Sequence, residues 1–222
     1  MNRVSDGHEY PVRVVSNDVS LDGSLSVPED AGGVVLFAHG SGSSRLSPRN
    51  SFVAQQLQKA GFGTLLFDLL TREEEDIGEY SAKLRFDIEL LAKRLAGATD
   101  WIRGQTSTPD LPVGYFGAST GAAAALVAAA EEPDDIRAIV SRGGRPDLAG
   151  EALSRVEAPT LLVVGEDDLQ VIGLNKQAMS RLDVETDLAI IPGATHLFEE
   201  PGALEEVARL AIDWFRKYLP TD

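Results

Sequence analysis

No cysteine occurs among the 222 residues, which removes disulfides, thiolate metal sites, iron–sulfur clusters and cysteine nucleophiles together. Any nucleophile is another residue. Lysine is scarce, at 5 against 15 arginines, a bias that salt adaptation and a preference for Arg codons explain equally well. Long apolar runs are also missing. The longest, Gly121 to Ala130, falls far short of the roughly 20 residues that cross a bilayer, so it reads as a core helix. Met1 to Tyr10 lacks the charged, then apolar, then small-residue layout of a secretory signal, and a cytoplasmic location is expected. Positive charge is in deficit: 20 Lys and Arg face 35 Asp and Glu, for a net charge of -15. Acid runs at Glu73 to Asp76, Glu131 to Asp135 and Glu205 to Glu206 repel phosphate backbones and anionic lipid, so neither nucleic acid nor membrane is an expected partner.

What is present is enough for one α/β domain over residues 1–222, since a chain of this length buries about 70% of its unfolded surface. Val12 to Val15 and Val19 to Val27 lie too close together for a parallel crossover, which predicts an antiparallel start to the sheet. Val34 to Ala38, Thr64 to Phe67, Val113 to Phe116, Ile136 to Val140, Thr160 to Val164 and Leu188 to Ile191 are continuous apolar runs, expected as central parallel strands covered on both faces. Between them, Ser51 to Ala60, Leu84 to Ile102, Thr120 to Glu131, Gly173 to Leu182 and Ala203 to Tyr218 carry apolar positions three or four apart, as helices do. There is no internal repeat or long linker.

The chemistry is concentrated at four turns. After the run ending at Phe116 comes Gly117-Ala118-Ser119-Thr120-Gly121, then the Ala-rich helix. A serine on a tight strand-to-helix turn between glycines is the pattern of a nucleophile elbow: small neighbours let the chain turn sharply and leave the hydroxyl exposed. Three histidines are available as its base. His8 lies in an unpatterned polar start, whereas His196 follows the last strand, in a loop expected at the carboxyl ends of the strands beside Ser119. His196 is therefore the expected general base. His39-Gly40-Ser41-Gly42 follows a buried strand, and this Gly-rich turn is expected to bring the Ser41 amide beside that of Thr120 as an oxyanion hole, with His39 organising the turn. No Lys follows those glycines, which argues against a P-loop. The fourth turn, Gly165-Glu166-Asp167-Asp168, offers three acids for one orienting role. The chain order of serine, acid and histidine is that of the α/β-hydrolases.

These four turns together resemble the α/β-hydrolase superfamily, in its dienelactone-hydrolase-like group, over nearly the whole chain. The resemblance implies an α/β-hydrolase fold: a mostly parallel sheet with an antiparallel N-terminal start, helices on both faces and no cap domain. It implies Asp168 as the triad acid, the fourth residue of a Gly-x-x-Asp turn, beside Ser119 and His196. Dienelactone hydrolases proper carry cysteine in the elbow, and the serine of this chain departs from that pattern.

Only Ser141 to Pro159 separates two of the central strands, room for one helix at most, so an open site suited to small or short-acyl esters is expected. Partial cover is expected from Leu69 to Tyr80 and Ser41 to Asn50. Arg45, Arg49, Arg142 and Arg145 follow central strands near the expected mouth. Arg45 and Arg142 are candidate contacts for a substrate anion, the alternative being internal pairing with acids such as Asp68 or Asp147. The expected activity is hydrolysis of a carboxylic ester or thioester through an acyl-enzyme, with no metal or other cofactor and a small-molecule substrate. An acyltransferase or perhydrolase would use the same triad and differ in the acceptor. A non-catalytic binding protein of this fold would leave Ser119 unreactive.

Overall fold

The sheet starts with a hairpin. In the computed structural model, which describes residues 8–16, 18–76, 79–105, 107–108 and 110–219, β1 (Tyr10–Ser16) and β2 (Val19–Ser26) pair antiparallel, with Tyr10 opposite Leu25 and Ser16 opposite Val19. The remaining strands are β3 (Val34–Ala38), β4 (Gly63–Phe67), β5 (Val113–Ala118), β6 (Ile136–Arg142), β7 (Thr160–Gly165) and β8 (Thr186–Ile191), in the order β1-β2-β4-β3-β5-β6-β7-β8. β2 meets β4 antiparallel, and every pairing from β4 to β8 is parallel. The α/β-hydrolase fold expected from the four turns is the fold observed.

Every residue of β3, β4, β5 and β7 is buried, the condition that makes a strand read as an unbroken apolar run. β8 corrects the expectation of six central strands. It lies at the sheet edge with Ile190 37% exposed, and Ile191 is its one fully buried residue. Its apolar sequence is only partly covered, by contacts with the segments Leu169–Met179 and Ala203–Tyr218.

The helices are α1 (Pro48–Lys59), α2 (Arg72–Asp76), α3 (Glu79–Leu84), α4 (Ile88–Arg103), α5 (Thr120–Glu131), α6 (Leu169–Met179) and α7 (Ala203–Tyr218). α4 and α5 pack together over one face of the sheet, and α1 and α7 over the other, each pair sealing its own apolar core. Local chemistry sets the boundaries. Ser47 Oγ accepts from the Asn50 amide and Pro48 takes the first helical position, so α1 begins before the expected Ser51. The helix expected from Leu84 starts later: Leu84 ends α3, and Asp87, accepting from the Leu90 amide at 3.0 Å, caps α4. Between β6 and β7, Pro146–Arg155 forms two short 3-10 turns divided by a kink at Gly150 (φ 54°, ψ -129°), where a single helix at most was expected. No helix among the described residues is long and apolar enough to cross a membrane.

The strand order fixes where a site can form. The chain runs from β3 outward to β4, then returns to the other side of β3 for β5. At that reversal the connections leave in opposite directions and open a crevice beyond the carboxyl ends of β3 and β5. Gly40-Ser41 follows one of those ends and Ser119 the other.

Candidate active site

Ser119 links β5 to α5 with φ 51° and ψ -120°, a conformation that a non-glycine residue holds only under constraint. The constraints are identifiable. Its amide donates to the Arg142 carbonyl at 3.3 Å, and its own carbonyl accepts from the Arg145 amide at 3.0 Å and the Ala122 amide at 3.1 Å. The flanking glycines are steric requirements. A Cβ at Gly121 would lie 2.1 Å from the Ala38 carbonyl oxygen, and one at Gly117 would lie 2.4 Å from the Ala122 Cα. Helix α5 thus seats directly against β3 and β5, and alanines fill the rest of its buried surface.

The acid and histidine turns are laced together through backbone. The Asp167 amide donates to the Ala194 carbonyl at 3.0 Å and the Glu166 amide to the Ile191 carbonyl at 2.9 Å. The three competing acids separate in this frame. Glu166, exposed, accepts from the Gly193 amide at 2.8 Å. Asp167 is also exposed. Asp168 lies 2.6 Å from His196 Nδ1, with its side chain 15% exposed. An Nδ1–H donated to that carboxylate leaves Nε2 as the free imidazole nitrogen, the tautomer a general base needs. The histidine loop is anchored by Phe198, 1% exposed and at φ 55°. Sequence reading gave Phe198 no role, because its unusual backbone angle leaves no trace in residue type.

His39 is a different kind of histidine. Its Nδ1 donates to the Gly40 carbonyl at 3.0 Å and its Nε2 accepts from the Leu69 amide at 3.0 Å, tying the end of β3 to the segment after β4. With both nitrogens occupied and the ring buried, its pKa is lowered, burial being the main cause. It holds the turn, as expected, in neutral form.

Ser41 and Thr120 are brought together, but not as two free donors. The Ser41 amide donates to Thr120 Oγ1 at 2.8 Å, which holds the turn after β3 against the start of α5. The Thr120 amide stands at the first position of α5, where it has no intrahelical acceptor.

The arginines divide. Arg45 faces Asp68, its guanidinium at 3.6 Å and its amide donating to Asp68 Oδ1 at 2.7 Å. Arg145 forks onto Asp147 with two bonds of 2.8 Å. For Arg45 the structure therefore favours internal pairing over the expected anion contact. Arg49 reaches Glu199 at 3.1 Å. Arg142, 6% exposed, has no carboxylate partner among the described residues and stacks on Phe198 at 5.6 Å. Burial first, and then the nearby Arg49 charge, pull its pKa down to about 10.

Ser119, His196, Ser41, Arg49 and Arg142 share one cavity of about 300 Å³. A larger hollow of about 540 Å³ adjoins it at Ser43 and Ser47, walled by the 42–48 loop and by Leu70 to Arg72 with Glu75 and Asp76. The two segments expected to give partial cover thus border the site; Ile77 and Gly78 lie outside the described residues. Among the described residues no group of three or more His, Asp or Glu side chains is placed to hold a metal ion.

Comparison with known proteins adds four findings. The model of the dienelactone hydrolase family matches residues 21–219. A crystal structure of a dienelactone hydrolase from Anabaena variabilis superposes with a TM-score of 0.93 at 60% identity, covering 96% of this chain and 98% of that one. A Mycobacterium tuberculosis protein named "Putative phosphoribosyl transferase Rv0571c" is 59% identical over 94% of this chain, which spans only 46% of that protein's length. Est1E from Butyrivibrio proteoclasticus, at 15% identity and a TM-score of 0.77 over 93% of this chain and 98% of that one, shares the fold.

Proposed function

The chain belongs to the dienelactone hydrolase family, and from that premise we propose that it is a serine hydrolase cleaving a carboxylic ester or thioester of a small or short-acyl substrate through an acyl-enzyme on Ser119. The observation that carries the reading is the 2.6 Å contact of His196 Nδ1 with Asp168, in a loop whose histidine opens on the same cavity as the strained elbow serine. In this reading His196 Nε2 takes the Ser119 hydroxyl proton as the oxygen attacks the carbonyl carbon. Asp168 fixes the tautomer and stabilises the imidazolium. The developing oxyanion is held by the Thr120 and Ser41 amides, the latter exchanging Thr120 Oγ1 for the substrate oxygen. His196 then returns the proton to the leaving alcohol or thiol, and water, activated by the same imidazole, releases the acid.

The phosphoribosyl transferase name belongs to a protein of which this chain covers less than half and stays with it. The test is labelling by a fluorophosphonate probe together with turnover of a short activated ester. Wild type is expected to label at Ser119 and to hydrolyse. Ser119→Ala and His196→Ala should each lose roughly 10⁴- to 10⁶-fold in rate, as residues acting as one unit do. An unlabelled Ser119, or full activity in either variant, refutes the reading.

A further inference from the structure

Arg142 ends β6 beside Ala118 and the elbow, and nothing in the catalytic reading uses its side chain. Its Nε is buried without a hydrogen-bond partner, and the face of Phe198 is the partner the guanidinium has. A fold that keeps an uncompensated buried cation gives up stability for it. The charge that acts on it is another cation, Arg49, whose Nε also lacks a partner and whose acid among the described residues, Glu199, is 64% exposed. Both arginines line the cavity that holds Ser119, together with Ser43, Ser47 and Asn50, and among the described residues no acid lines it. In a chain of net charge -15, an acid-free hollow with two guanidiniums is a local reversal of sign.

We propose that this hollow is an anion subsite in which Arg142 and Arg49 receive a phosphoryl group carried by the substrate, so that the ester presented to Ser119 is that of a phosphorylated small molecule. Its place next to the scissile bond rests on the reading of Ser119 as the nucleophile; the binding of the anion does not. A carboxylate, with one charge and two oxygens, satisfies one guanidinium fork. A phosphoryl dianion has the charge and the oxygens to meet both. Ser47 Oγ accepts from the Asn50 amide at 3.4 Å and so keeps its own proton to donate. Asn50, 2% exposed with an unpartnered Oδ1, offers an acceptor to a substrate hydroxyl.

The experiment is isothermal titration of inorganic phosphate into the purified protein near neutral pH and low salt, in wild type, Arg142→Met and Arg45→Met, with acetate and succinate as competing anion classes. Wild type should bind phosphate saturably with a Kd of about 1 mM or tighter, weakening as salt screens the site. Arg142→Met should weaken binding at least about tenfold, while Arg45→Met, whose guanidinium faces Asp68, should leave it unchanged. Where the Met variant fails to fold by circular dichroism, Arg142→Lys, which keeps the charge and loses the fork, should weaken binding about fivefold. No saturable phosphate binding, unchanged binding in the folded Arg142 variant, or carboxylates binding as tightly as phosphate each overturns the proposal. Titration reads binding without turnover, so a failure here leaves Ser119 labelling untouched, and a failure of labelling leaves the titration readable.

Discussion

Replacing Arg142 by Met should make the protein more stable. In the unfolded chain the guanidinium keeps its ordinary, strongly basic pKa, and in the fold burial and Arg49 lower that to about 10. The folded state therefore carries the charge at a disadvantage that is complete at every pH below about 10 and fades as pH rises from there towards the ordinary guanidinium pKa. The drop corresponds to roughly 3 kcal/mol. Methionine keeps the apolar stem and removes the charge, but it also removes the stacking on Phe198, worth about 1 kcal/mol. The net gain is about 2 kcal/mol, which for a chain of this size raises Tm by roughly 4–8 °C. The assay is a thermal melt at neutral pH, followed by circular dichroism, with and without phosphate. Without phosphate, Arg142→Met should melt higher than wild type. Added phosphate should raise the melting temperature of wild type, because a ligand bound only to the native state stabilises it, and should leave the variant almost unmoved. A Tm lowered by several degrees in Arg142→Met would show that the guanidinium is compensated in the fold, and the reasoning from its isolation would fail.

The acid turn gives a second test. Asp168→Asn should lower kcat on an activated ester by about 10⁴, as loss of the orienting charge does in another triad, whereas Asp167→Asn, on an exposed side chain, should stay within severalfold of wild type; the reverse order would move the acid by one residue. His39 predicts an acid sensitivity. Its folded pKa lies below the ordinary value, so stability should be lost as pH falls below about 6.5, and the urea midpoint should drop between about pH 7 and pH 5 more steeply in wild type than in His39→Gln. Gly121→Ala sets a new Cβ 2.1 Å from the Ala38 carbonyl oxygen. It should destabilise by about 3 kcal/mol or more and disturb the elbow, which denaturant melts and ester turnover would both register.

Residue order by itself determined the framework of this protein. Strands buried on both faces must be apolar at every position, so β3, β4, β5 and β7 are legible as short runs. An elbow needs small neighbours, so Gly117 and Gly121 announce Ser119. His196 stands out because few histidines compete and it follows the last strand. Properties that depend on which groups meet across the chain were not legible. Leu188 to Ile191 has a core strand's composition, but only the finished sheet makes β8 an edge. Glu166, Asp167 and Asp168 are near-equivalent in sequence, and the hydrogen bonds between the acid and histidine turns aim Asp168 at His196. Four arginines follow central strands in much the same way. Folding gives Arg45, Arg49 and Arg145 a carboxylate and leaves Arg142 buried without one among the described residues, because charge pairing is settled by distance in space and desolvation by the packing around it.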